Sequence, residues 1–150
     1  MMEIRIAGRE DAASLIEFNQ AMALETEGKT LDADTLRNGV EAVFADEKKG
    51  FYVVAQSENK IVGGLMITFE WSDWRGNWFW WIQSVYILPE FRGRSIYRLL
   101  YEFVKETAVE RGDVGGFRLY VERENVNAQK VYAKLGMNSS HYLIDRKSVV

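Results

Sequence analysis

Cysteine is absent from the 150-residue chain, which excludes both a disulfide framework and a thiolate nucleophile. Histidine is nearly absent. The one residue, His141, rules out a multi-His metal cluster and gives little footing to a Ser-His-Asp relay, so no metal is expected. An excess of basic charge is missing too. The net charge of −3 disfavours nucleic acid, whose binding draws on a basic surface. No apolar run approaches the roughly 20 residues that a membrane helix needs. The opening MMEIRIAGRED lacks the basic-then-apolar pattern of a signal peptide. These absences predict a cytoplasmic, soluble protein with neither nucleic acid nor membrane as partner.

What is present fits one folded domain over residues 1–150. A hydrophobic share of 47% with 13% aromatics is enough to bury a core at this length. Glu3 to Ala7 reads as a short strand. Asp11 stands where an N-cap should, ahead of the helical stripe Leu15, Ile16, Phe18 and Met22. Residues 25 to 31 read as a polar loop. A second helix from about Asp32 carries Leu36, Val40, Val43 and Phe44 on one face, with Gly39 inside it at a cost of ~1 kcal/mol relative to alanine. Phe51 to Gln56 and Ile61 to Glu70 read as an antiparallel hairpin. After a turn at Ser72 to Asn77, Trp78 to Leu88 is a third strand, apolar on both alternating faces. Trp78, Trp80, Ile82 and Tyr86 oppose Phe79, Trp81, Val85 and Ile87, which predicts a central strand covered on both sides. A helix from Ser95 to Arg111, a strand from Phe117 to Glu122, a helix from about Asn125 to Leu135 and a last strand from His141 to Asp145 complete the chain. Strand, long helix and strand in that order predict a right-handed βαβ crossover.

The stretch Val85 to Tyr97, VYILPEFRGRSIY, carries the functional signal. A strand ends at Pro89, the chain turns through Arg92 and Gly93, and a helix opens near Ser95. Free N–H groups at the positive end of a helix dipole make an anion site suited to phosphate or pyrophosphate. Ile87, Pro89, Arg92 and Gly93 resemble the surroundings of the acetyl-CoA loop in the GCN5-related N-acetyltransferase (GNAT) family, with Ser95 and Tyr97 at its two signature glycine positions. Asn125, Ala128, Tyr132, Gly136 and Met137 resemble the family's second motif, with methionine in place of phenylalanine, and Arg5 and Asp11 resemble its start.

That resemblance implies an α/β fold of the α+β kind: a mixed, mostly antiparallel central sheet with two splayed parallel central strands, and helices on both faces. It implies acetyl-CoA as acyl donor, with the pantetheine arm along Val85, Tyr86 and Ile87. The pyrophosphate would sit on Arg92, Gly93, Arg94, Ser95, Ile96 and Tyr97, and Asn125 would lie at the pantetheine or at the start of the last helix. The Val85 N–H, at a strand bulge, would stabilise the thioester oxygen. Tyr132 would protonate the leaving thiolate. Gln83 occupies the place where related enzymes carry a glutamate base, which leaves Glu70, Glu122 or water to take the amine's proton.

The resemblance also sets the acceptor side. Glu25, Glu27, Glu70 and Asp73 fall in segments that border it, with Trp71 and Trp74 at a turn where they could wall the substrate or form a homodimer contact. A negative acceptor mouth facing a positive cofactor mouth would favour a small cationic amine. The implied activity is transfer of acetyl to a primary amine by direct attack in a ternary complex. The alternatives are a non-catalytic CoA-binding sensor or interaction module, and an enzyme acting on a protein lysine or N-terminus. Ser95, Tyr97 and Gln83 favour the sensor, whereas Tyr132 and Asn125 favour the enzyme. His141 reads as a surface or strand histidine.

Overall fold

Apolar alternation on both faces of the middle strands builds a five-stranded sheet in the computed structural model, which describes residues 1–149. The strands are β1 (Met2–Ile6), β2 (Phe51–Ser57), β3 (Lys60–Ser72), β4 (Asn77–Ile87) and β5 (Val114–Arg118). They lie in the order β1-β2-β3-β4-β5. All neighbours are antiparallel except β4 and β5, which are parallel. The helices are α1 (Ala12–Glu27), α2 (Ala33–Ala45), α3 (Ile96–Arg111) and α4 (Val126–Lys134), with short 3-10 turns at Arg9–Asp11 and Pro89–Phe91. The chain divides into two compact units, Met1–Leu119 and Tyr120–Val150.

In the first unit both sheet faces are covered. Val53, Ala55, Val62, Leu65, Ile67, Trp80 and Ile82 pack with Ile96, Leu100, Val104 and Ala108 of α3. On the other face Tyr52, Val54 and Tyr86 pack with Leu15 and Phe18 of α1 and Val40 of α2. Burying both faces removes most of the sheet's apolar area from water, at roughly 25 cal/mol per Å². Sheet order, burial and helix placement agree with the mixed, two-sided fold expected from sequence.

Several sequence expectations need correction. Helix α1 runs on to Glu27 and ends at Gly28, whose φ of 64° forms a left-handed C-cap. Glu25 and Glu27 are therefore helical, because polar helix formers extend a helix until a left-handed glycine stops it. Asp11 makes no side-chain cap bond to α1. Its carboxylate instead accepts from the Gly8 N–H at 2.9 Å and from Arg5 at 2.7 and 3.0 Å, and the residue is only 4% exposed. Burial of an acid is tolerated here because both oxygens are paired.

The sequence reading also grouped Tyr86 with Trp80 and Ile82. Met66 pairs Gln83 and Gly64 pairs Tyr86, so Leu65 alone opposes Ser84 and Val85. Ser84 has a φ of 52°. This bulge shifts the pleat by one residue. Val85 and Ile87 consequently join Trp80 on the α3 side, and Tyr86 turns to the α1 side. Strand β5 begins earlier than expected, at Val114, and ends at Arg118. Its opening glycines disguise it, since a Cβ on Gly115 would meet the Asn77 amide at 2.3 Å and one on Gly116 would meet Phe79 at 3.1 Å. The Asn77 and Phe79 side chains of the neighbouring strand fill the space over both glycines, so a larger residue at either position would have to displace them.

In the second unit α4 is capped by the Asn125 side chain, which accepts from the Ala128 N–H at 3.2 Å. It closes with the Met137 N–H on the Tyr132 carbonyl at 3.1 Å, across Gly136 at φ 88°. Residues 141–145 form no strand, and Tyr142, Leu143 and Ile144 are exposed. Alternation marks a segment able to pleat, but a strand exists only where a neighbour completes its backbone hydrogen bonds. Glu122 lies in the turn ahead of α4, not on a strand, and its side chain is exposed.

Candidate active site

The bulge and the parallel ladder together shape β4. Pairing with β5 runs from Trp78 opposite Val114 to Trp81 opposite Arg118 and stops there. Strand β4 continues to Ile87, so among the described residues its last six positions have no strand partner on the β5 side. Ile82 to Ile87 thus present a strand edge, kinked at Ser84 and Val85. Such an edge offers N–H and C=O groups to an extended ligand.

The chain then turns through the 3-10 turn at Pro89–Phe91 into a loop. Gly93 has φ 77° and Ser95 has φ 60°. Two left-handed residues bring the chain sharply into α3, where intrahelical bonding starts with the Leu99 N–H on the Ser95 carbonyl at 3.2 Å. The N–H groups that open the helix at Ile96 therefore point out of it, at the positive end of a 16-residue dipole. A hydroxyl at Ser95 offered a helix cap, but the side chain makes no capping bond. Its left-handed backbone turns it out of capping geometry, and this is the conformation in which glycine is least strained. Tyr97 packs against the α3 core cluster with Tyr101 and Phe103, so its ring is directed into the core.

Arg92 is held in place. Its Nε donates to the Ile87 carbonyl at 2.9 Å, its Nη2 meets Glu25 Oε1 at 3.0 Å, and its guanidinium lies 5.3 Å from the Tyr86 ring. A hydrogen bond from the Tyr86 hydroxyl, and then Arg92, hold the Glu25 carboxyl below its ordinary range. Burial first, and Glu25 second, push the Tyr86 phenol upward. Charge was expected to divide into an acidic acceptor side and a basic cofactor side. The structure instead joins Glu25 to Arg92, and Glu27 pairs with Lys29 at 3.4 Å. The polar stretch is helical, and helix α1 carries Glu25 to the loop. Arg94 stacks over Phe91 at 5.0 Å.

On the sheet face opposite α3, Gln83 donates to the Thr68 hydroxyl on the neighbouring strand. Glu70 accepts from the Trp81 indole at 2.8 Å and from Arg118 Nη1 at 3.0 Å on each oxygen. Arg118 is a residue that the sequence reading missed. An arginine at the end of a short strand carries no motif, and only the register of β5 against β4 brings it to Glu70. Trp71 and Trp74 are 52% and 95% exposed, at the β3–β4 hairpin. Trp71 packs edge-on to Trp78 at 5.1 Å.

Tyr132 lies on α4, half-buried, and burial raises its phenol above the ordinary value. The hydroxyl therefore stays protonated at neutral pH. Grooves cut the surface of the first unit. One of about 420 Å³ runs beside α2 to the bulge residue Ser84, past Leu31, Leu36, Tyr52 and Met66. Another, about 610 Å³, lies at Arg5, Glu10, Glu17, Lys60 and Glu90 and contains none of the residues expected at the site. Size alone does not pick out the chemistry.

Comparison with known proteins converges on one family. The sequence model of the Acetyltransferase (GNAT) family matches residues 14–137. An aminoalkylphosphonate N-acetyltransferase of Salmonella typhimurium is 26% identical over 141 residues, covering 93% of this chain and 87% of that protein. The crystal structure of a possible acetyltransferase from Clostridium difficile superposes with a TM-score of 0.92 at 42% identity, covering 100% of this chain and 99% of that one. A ribosomal-protein-alanine N-acetyltransferase from Brucella melitensis shares the fold at a TM-score of 0.78 and 17% identity, over 98% of this chain and 100% of that one. Bulged strand, left-handed loop and matched motifs lead to one conclusion: the chain belongs to the Acetyltransferase (GNAT) family and is an N-acetyltransferase.

Proposed function

We propose that the protein transfers acetyl from acetyl-CoA to the primary amine of a small molecule, cationic in solution at that amine, by direct attack in a ternary complex. The observation that carries this reading is the unpaired end of β4, bulged at Ser84 and running into a left-handed loop ahead of α3. Backbone groups of Val85, Tyr86 and Ile87 would pair with the pantetheine arm. The Arg92–Tyr97 loop, with Arg92 and Arg94 beside it, would take the pyrophosphate. Asn125, already the cap of α4, would contribute there as well.

Three requirements of the reaction map onto named groups. The Val85 N–H would donate to the thioester oxygen as negative charge develops on it. Tyr132 would give its proton to the departing sulfur. Glu70 serves ahead of Glu122 for the amine's proton, directly or through water, because it sits on the sheet strand beside β4 whereas Glu122 is an exposed turn residue. Gln83 would orient the acceptor and not deprotonate it. The Salmonella relative acts, by its name, on aminoalkylphosphonates, small amines that also bear an acid group, which supports a small-molecule acceptor over a protein. Trp71 and Trp74 remain available as acceptor wall or homodimer contact in a cytoplasmic enzyme.

The test is a thermal-shift titration with CoA followed by thiol release from acetyl-CoA in the presence of amines. CoA at 100 times its dissociation constant is expected to add about 2.7 kcal/mol of stability. A folded protein whose transition is unmoved by millimolar CoA would overturn the assignment.

A further inference from the structure

The groove of about 420 Å³ beside α2 meets the bulged strand at a definite place. A register row crosses the sheet beneath it, in which Tyr52 of β2 pairs Met66 of β3 and Met66 pairs Gln83 of β4. Tyr52 and Met66 line the groove, and so does Ser84, the residue between Gln83 and Val85. One residue along a strand is about 3.3 Å. A molecule lying over Met66 and ending at Ser84 is therefore within a residue's length of the Val85 N–H, the group assigned to the thioester oxygen.

Helix α2 forms the facing wall. Leu36, Gly39, Val40 and Val43 follow the spacing i, i+3, i+4, i+7, so they share one helix face, and all four line the groove. Leu31, Leu36, Val43 and Met66 are only half-buried, which leaves apolar surface there for a ligand to cover. Polar side chains at the edge are already engaged. Asp32 accepts from the Thr35 N–H at 3.0 Å and from its hydroxyl at 2.7 Å, and Asn19 donates to the Leu15 carbonyl at 2.9 Å. Among the described residues no arginine, lysine or histidine lines the groove. Its volume and its mainly apolar lining are those of a small-molecule site, which spans roughly 300–1,000 Å³.

Gly39 is the informative residue. A glycine inside a helix weakens that helix, and two structural reasons for keeping one are missing here. Its backbone is not left-handed, and a Cβ added to it would meet no atom within 4 Å. What glycine does at this position is leave room in the groove. We propose that the acceptor is an amine with an apolar body, an alkyl or arylalkyl chain that lies between α2 and the Tyr52–Met66 row and delivers its nitrogen at Ser84. Gly39 is a specificity-determining residue that sets how large this body can be. The lining offers no cation to hold an acid group on the chain, and a second ammonium would lie against apolar surface. This inference rests on the N-acetyltransferase reading and names its substrate class.

The experiment uses the full chain and acetyl-CoA, with thiol release as readout and propylamine, hexylamine, 2-phenylethylamine, 1,3-diaminopropane and 2-aminoethylphosphonate as acceptors. Each buried methylene is worth roughly fourfold in binding, so hexylamine and 2-phenylethylamine are expected to exceed the other three in kcat/KM by at least about tenfold. Gly39→Leu fills the groove. It should raise KM for hexylamine about tenfold or more with kcat little changed, because groove contacts bind ground and transition states alike. Propylamine should change less than about threefold, CoA-dependent stabilisation should persist, and Tm should not fall, since leucine is the better helix former. Gly39→Ala should lie between the wild type and Gly39→Leu. Equal or better kcat/KM for propylamine, the diamine or the phosphonate would overturn the proposal while leaving the transferase reading intact. So would a Gly39→Leu variant that affects every acceptor alike or none. If no amine is acetylated although CoA stabilises the protein, the transferase reading fails and this inference fails with it.

Discussion

Ser95→Gly is the substitution that most directly tests how the loop is built. Ser95 sits at φ 60°, ψ 24°, its side chain is exposed, and it makes no capping bond. Replacing it with glycine therefore removes no hydrogen bond of the cap and no buried contact. A non-glycine residue in the left-handed region costs roughly 1–2 kcal/mol, and glycine gives back about 0.4–1 kcal/mol through the larger freedom of the unfolded chain. The net expectation is stabilisation by about 1 kcal/mol, or a rise of roughly 2–4 °C in Tm for a chain of this size. Gly93→Ala is the mirror experiment. At φ 77° with no atom within 4 Å of an added Cβ, backbone strain acts alone, and a loss of about 1 kcal/mol is expected. Urea unfolding of both variants, fitted with a common slope, gives the two numbers. If Ser95→Gly is neutral or destabilising while Gly93→Ala costs as stated, backbone strain at Ser95 is offset by an interaction outside this account, and the reasoning fails.

Tyr132→Phe keeps the ring and removes the proton donor, so single-turnover rates should fall on the order of 10²-fold with CoA binding intact. An unchanged rate would reassign the proton to water. Glu25→Gln frees Arg92 from its partner; CoA affinity measured by calorimetry should rise, by no more than the roughly fivefold that corresponds to ~1 kcal/mol for an exposed pair. Asp11→Ala removes the carboxylate that Arg5 meets at 2.7 and 3.0 Å and leaves that guanidinium with Gln56 and Glu3, and about 2–3 kcal/mol of destabilisation is expected, discounted from the fully buried case because Arg5 keeps 29% exposure. The pH dependence has a definite sign. The hydrogen bond from Arg5 holds the Asp11 carboxyl below the ordinary aspartate value. Its contribution is therefore present above that value and is lost as pH falls through the lower folded one. Burial raises Tyr52, Tyr86 and Tyr132 above 10.0, so their contributions hold below that pH and fade as it rises further. Denaturant midpoints from pH 2 to 7 should drop on the acid side in the wild type and much less in Asp11→Ala.

The sequence by itself determined the elements whose cause is local. Helix α2 begins where Asp32 accepts the Thr35 N–H, α3 packs Ile96, Leu100 and Ala108 on the sheet and stops at left-handed Gly112, and α4 closes at left-handed Gly136. The doubly apolar β4 announced a strand covered on both faces. The turn through Arg92, Gly93 and Ser95 was legible because proline, glycine and a following helix impose geometry on neighbours in the chain. What tertiary structure alone decided depends on residues distant in sequence. A bulge has no composition of its own, so only pairing with β3 could show that Tyr86 changes face at Ser84. Asp11 looked like a helix cap until burial beside Arg5 claimed both its oxygens. Glu25 and Arg92 are 67 positions apart, and Glu70 and Arg118 are 48 apart. Long-range ion pairs follow from sheet register and helix packing, and no local pattern encodes them. The segment from His141 to Asp145 has a strand's alternation without a strand's partner, because alternation fixes which side chains could share a face and only a neighbouring strand supplies the hydrogen bonds.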